Sequence, residues 1–148
     1  VGLERWLRLL PGLWAGLLLT VALVATPAAF ALLPQAEAGR VAARVLAQEA
    51  HVSLALGAVL LALERLAARR RAHAGQGSQF SSGMVLAAVA LFCTVAGYFA
   101  VQPFMEAARA GQGGLSFGQL HGISAGFYGL KLVCVLALAW RAAASGPG

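Results

Sequence analysis

Lys131 lies inside an apolar run, and three other side chains able to bond or to exchange protons share its helical face. In FGQLHGISAGFYGLK, residues 117 to 131, His121, Ser124, Tyr128 and Lys131 are spaced by 3, 4 and 3, which places them on one side of a helix. A charged side chain at mid-membrane costs about 2.5 to 3.5 kcal/mol on insertion scales. Lys131 should therefore face a bundle interior, a water-filled crevice or a partner subunit. No counter-ion for it is evident in the sequence.

Two further stripes recur at helical spacing. Thr94, Tyr98, Gln102 and Glu106 repeat every four residues, and Arg44, Gln48 and His51 lie together one segment earlier. If successive segments alternate in direction, His51, Gln102 and His121 fall at similar depth, toward one side of the membrane. Glu49 is turned about 160° from His51 on a helix, so the two cannot both point at a common axis.

The chemistry open to this set is limited. Two imidazoles on different helices can ligate haem or a transition metal, can handle protons or substrate, or can bond across helices. The reading adopted is an outward-side polar cluster that fixes helix packing or binds a small ligand, with no cofactor; ligation by His51 and His121 is the alternative, and a small transporter or channel along the stripe from His121 to Lys131 is another. No HExxH, GxSxG or Walker loop is present, and five carboxylates leave few acids for general catalysis. No catalytic residue is assigned, and the chain reads as non-enzymatic.

The elements that must position these residues follow from composition. Apolar residues make up 60% of the 148 and charged residues only 11%, about half the charged share of a water-soluble domain. Apolar runs near twenty residues give four spans, about 6–33, 41–66, 82–105 and 117–140. Short connections (LLPQAEAG, AARRRAHAGQGSQFSS and EAARAGQGGL) make neighbouring spans antiparallel. The expected fold is an all-α membrane protein, an antiparallel four-transmembrane-helix bundle forming a single domain over residues 1–148.

Charge placement sets the orientation. Arg5, Arg8, Arg65, Arg69, Arg70, Arg71 and Arg141 gather on one side, against Arg40, Arg44 and Arg109 on the other. Both termini and the middle loop are expected in the cytoplasm, with the bacterial inner membrane as location. Arg5 and Arg8 before an apolar run and ATPAAFA also fit a signal peptide, but that run exceeds a signal core, and it is expected to stay as the first span.

The net charge of +6 does not imply nucleic acid, because the arginines sit at span ends without aromatic interleaving. Cys93 and Cys134 lie singly in apolar segments and read as small buried fillers. Pro27 and Pro103 interrupt the first and third spans near the same side, where they should disturb the helices and free carbonyls for a neighbouring hydroxyl or helix.

Gly118, Gly122 and Gly126 repeat every four residues beside the polar stripe, and GLWAG, residues 12 to 16, offers a second small surface. Such spacing lets helices approach closely. The expected partners are the lipid bilayer and, through the glycine ladder, a second copy or another membrane subunit.

Three blocks carry a family resemblance: FALLPQAEAG followed by His51 in EAHVSLALG, the proline in VQPFMEAAR, and FGQLHGIS around His121. On these the chain resembles the transmembrane protein 205-like family, known in bacteria as a domain of unknown function. The resemblance implies a four-span membrane protein of unsettled biochemical activity. Relatives often carry an acidic residue before the third-span proline, where this chain has Gln102.

Overall fold

The computed structural model describes residues 2–145, which form helices joined by short turns, with no strand among them. Among the described residues, four helices are long and apolar enough to cross a membrane: α1 (Gly2–Leu32), α2 (Gln35–His73), α3 (Ser82–Arg109) and α4 (Phe117–Ala144). Lipid offers no hydrogen bonds to a backbone, so such segments must satisfy their own amides as helices. They overrun the apolar spans at several ends. The 39 residues of α2 extend about 58 Å at the helical rise, because its alanine-, arginine- and glutamate-rich ends favour helix after the apolar pattern stops.

The breaks have local causes. Leu33 is extended ahead of Pro34, separating α1 from α2. Gly75 (φ 71°) and Gly111 (φ 73°) take the left-handed conformation that closes α2 and α3. Just beyond them, the Gln76 amide returns to Arg71 O and the Gln112 amide to Ala107 O, both at 2.8 Å. Ser81 caps the start of α3 by accepting from the Met84 amide at 3.2 Å. Ser116 and Gln119 form a reciprocal capping box that opens α4.

Each disturbing proline follows a widened turn. A π-helical segment, Val21–Ala25, precedes Pro27, and another, Val95–Ala100, precedes Pro103. The wider turn relieves the clash between a proline ring and the carbonyl four residues back. In α3 the Val101 amide bonds Tyr98 O, and Gly97 O accepts the Ser124 hydroxyl of α4 at 2.7 Å. The prolines thus act through a change of helical pitch.

The helices pack in a ring, α1 on α2, α2 on α3, α3 on α4 and α4 on α1. The diagonal pairs, α1 with α3 and α2 with α4, make no close backbone approach among the described residues. Trp14, Leu18, Leu60, Val135 and Leu138 fill the core beside the small residues Ala15, Ala87, Ala90 and Cys134. Large apolar side chains such as Leu23, Phe92, Val133 and Trp140 point outward, as a lipid solvent permits. Cys93 and Cys134 are both free and buried.

The glycines that set helix spacing are not those of the ladder. Gly118, Gly122 and Gly126 lie on an exposed face of α4, and an added Cβ at Gly122 or Gly126 would meet nothing within 4 Å. Gly57, Gly83 and Gly97 make the close approaches. A Cβ on Gly97 would stand 2.5 Å from Phe127 Cβ, an atom tied to its backbone. Gly97→Ala is therefore expected to destabilise the bundle by about 1 to 3 kcal/mol, whereas Gly122→Ala stays within about 0.5 kcal/mol or gains slightly. Thermal unfolding in detergent measures both; equal stability of the two variants would contradict this packing.

Candidate functional site

The buried stripe of α2 runs through Ala42, Glu49, Ser53, Leu60 and Ala67, seven or fewer residues apart, the repeat of a helix packed inside a bundle. On α4 the corresponding stripe runs through Leu120, Lys131, Cys134, Val135 and Leu138. Each stripe carries one charge. Lys131 Nζ donates to Glu49 Oε1 at 2.7 Å, and the side chains are only 3% and 4% exposed. Because α2 and α4 are diagonal, this ion pair crosses the centre of the bundle. Lys131 lies about 20 Å from either end of α4 at the helical rise.

The pair belongs to a longer chain of bonds. The Ser53 hydroxyl donates to the same Glu49 oxygen, and Trp14 Nε1 donates to Ser53 Oγ at 2.8 Å. The Tyr128 hydroxyl donates to Leu18 O at 2.7 Å, and its ring lies 4.8 Å from Lys131 Nζ, a distance that suits a cation over an aromatic face. With Ser124 on Gly97 O, α4 is bonded to α1, α2 and α3. Among the described residues, no buried side-chain nitrogen or oxygen lacks a partner.

Beside the pair is a cavity of about 40 Å³, lined in part by Glu49, Thr94, Tyr98, Ser124, Tyr128 and Lys131. That volume holds water or a small ion. The Thr94 hydroxyl donates to Ala90 O at 3.0 Å, so the hydroxyl protons of Thr94, Ser124 and Tyr128 are all committed to carbonyls. What these oxygens present to the cavity is acceptor capacity. Lys131 uses one of its three donors on Glu49, leaving donors for water.

The structure divides the residues expected to cluster. Ser124, Tyr128 and Lys131 reach the interior, and Tyr98 lines the cavity. His51 is on an exposed face, where its Nδ1 donates to Ala47 O at 2.7 Å and its ring meets the Phe99 edge with centroids 5.2 Å apart. His121 is also exposed and stacks on Phe117 at 6.3 Å, with Arg109 over the other ring at 4.9 Å. Gln102 is half-buried near the end of α3. Neither histidine joins the enclosed network. No group of three or more His, Cys, Asp or Glu able to hold a metal occurs among the described residues.

Two expectations need correction. Lys131 does have a counter-ion, Glu49. The inward face of α2 is the one bearing Glu49 and Ser53, and the face bearing Arg44, Gln48 and His51 is exposed. The small residues of α2 carried the missing signal: Ala42, Ala50, Ser53 and Gly57 are all buried, and Glu49 falls among them.

Four packed apolar helices around a neutralised charge pair define a helical integral membrane protein. The chain belongs to the family described as a domain of unknown function, DUF4149, whose model matches residues 9–113. The match includes Glu49, Ser53 and Trp14 and ends before α4 with Lys131. No curated protein and no solved structure matches the chain.

Proposed function

We propose that this protein is a non-enzymatic, single-domain four-span membrane protein over residues 1–148, whose polar centre fixes the register of the helices and encloses a few waters or one small ion. The observation that carries the reading is the hydrogen-bonded chain Trp14–Ser53–Glu49–Lys131, which joins α1, α2 and α4 and leaves no buried polar side-chain atom without a partner among the described residues. The cavity of about 40 Å³ beside that chain has room for water or a small ion and not for a larger ligand. The arginine distribution supports cytoplasmic termini and an inner-membrane location, and the blocks around His51, Pro103 and His121 support kinship with transmembrane protein 205-like proteins.

Purification in mild detergent without added cofactors tests the reading through the absorption spectrum, metal analysis and native mass. The expected preparation is colourless and free of stoichiometric metal. A haem band or one metal per chain that is lost on His51→Ala or His121→Ala would replace this reading with the ligation reading.

The cavity beside Glu49 and Lys131 favours a second reading, a small transporter in which the pair handles a proton. Proton flux into proteoliposomes, compared with the Glu49→Gln/Lys131→Met double variant, separates the two. Flux in the wild type that the double variant abolishes supports transport, and absence of flux in both supports the packing role.

A further inference from the structure

The outer surface of the bundle carries a second cavity, unconnected in its lining to the polar centre. Ala58, Leu61, Ala62, Arg65 and Arg69 line it from α2, with Leu66 beside them and Leu91 of α3 as a wall; its volume is about 440 Å³. On α2 these positions share one face, because residues three, four, seven and eleven apart on a helix stack above one another. The groove therefore has two unlike ends about 16 Å apart at the helical rise. Ala58, Leu61, Ala62 and Leu91 make one end apolar, and two guanidinium groups one turn apart lie at the other.

Neither Arg65 nor Arg69 makes an ion pair or a side-chain hydrogen bond among the described residues, and both are exposed. Glu64, the nearest acid in sequence, pairs with neither arginine; its carboxylate lies toward α3, where a Cβ on Gly83 would stand. Arg70 and Arg71 extend the positive charge along the helix but do not line the groove. Planar guanidiniums suit a phosphate diester through paired N–H donors, and the apolar lining suits an acyl chain. A headgroup carrying its own ammonium would set a third cation against the arginines, so a net negative charge is preferred.

We propose that this groove binds an anionic phospholipid, its phosphate held between Arg65 and Arg69 and one acyl chain lying along Ala58, Leu61, Ala62 and Leu91. The site would fix the end of α2 at the membrane interface and make the state of the bundle responsive to anionic lipid.

The full-length chain in detergent is titrated with phosphatidylglycerol and with phosphatidylcholine of matched acyl chains, and retained lipid is read by native mass spectrometry. The wild type should hold one phosphatidylglycerol about tenfold or more tightly than phosphatidylcholine. Arg65→Gln/Arg69→Gln should abolish that preference, whereas Arg70→Gln/Arg71→Gln, which removes the same charge outside the groove, should preserve it. Ala62→Trp, which fills the groove without changing charge, should also displace the lipid. Equal loss from the two arginine pairs would mean diffuse attraction and overturn the site. Unchanged binding in Ala62→Trp would mean capture of phosphate alone, and an Arg65- and Arg69-dependent dimer would assign the groove to a second copy. Either result overturns the proposal.

Discussion

Lys131→Leu lowers the stability of the bundle by about 3 to 5 kcal/mol, the range for removing one partner of a buried ion pair, as followed by unfolding in detergent. The large effect comes from what is left behind. Glu49 is 4% exposed at the centre of an apolar bundle, and without Lys131 its carboxylate keeps only the Ser53 hydroxyl. Removing both charges is expected to be far milder, since two well-packed apolar groups forgo attraction and desolvation together. Glu49→Met/Lys131→Leu should therefore recover most of the lost stability. If the double variant were no more stable than Lys131→Leu, the two residues would not be acting as a pair.

The same pair shows what helical periodicity can and cannot reveal. On α4 the polar residues are few, and the 3, 4, 3 spacing leaves one face for Ser124, Tyr128 and Lys131; their common direction follows from helix geometry alone. On α2 polar residues occur on both sides, because α2 is long and its ends leave the apolar zone. Choosing a face by the histidine there selects the exposed side. The buried side is marked by small residues, whose meaning depends on which helix lies opposite. The diagonal link between α2 and α4 is set by tertiary packing, and no local pattern encodes it.

The spans were legible for a different reason. Lipid admits few alternatives to a helix for an apolar run of twenty residues, so composition alone fixes the count and the alternation. Helix ends are less constrained, and α2 continues to His73 through residues that are polar yet good helix formers. Pro27 and Pro103 announce disturbances, but their form as widened turns upstream depends on how each helix meets its neighbours.

Trp14 is the second residue whose loss should be severe. It is fully buried, its ring would lie 3.2 Å from a Cβ built on Gly57, and its indole N–H supplies the bond that orients Ser53 toward Glu49. Trp14→Ala removes packing against Gly57 of α2 and opens the core cluster to which the ring belongs. Large aromatic truncations in cores cost about 3 to 5 kcal/mol, and about 3 kcal/mol is expected here because lipid removes the hydrophobic drive between helices and leaves mainly the packing loss. Trp14→Phe separates the two roles: it keeps most of the ring volume and removes the N–H, so its loss should be near 1 kcal/mol, the worth of one hydrogen bond. Ser53 would then be free to turn, and combining Trp14→Phe with Ser53→Ala should cost less than the sum of the single changes, as coupled neighbours do. Strict additivity, measured by unfolding in the same detergent, would show that Trp14 acts by volume alone and that the network ends at Ser53.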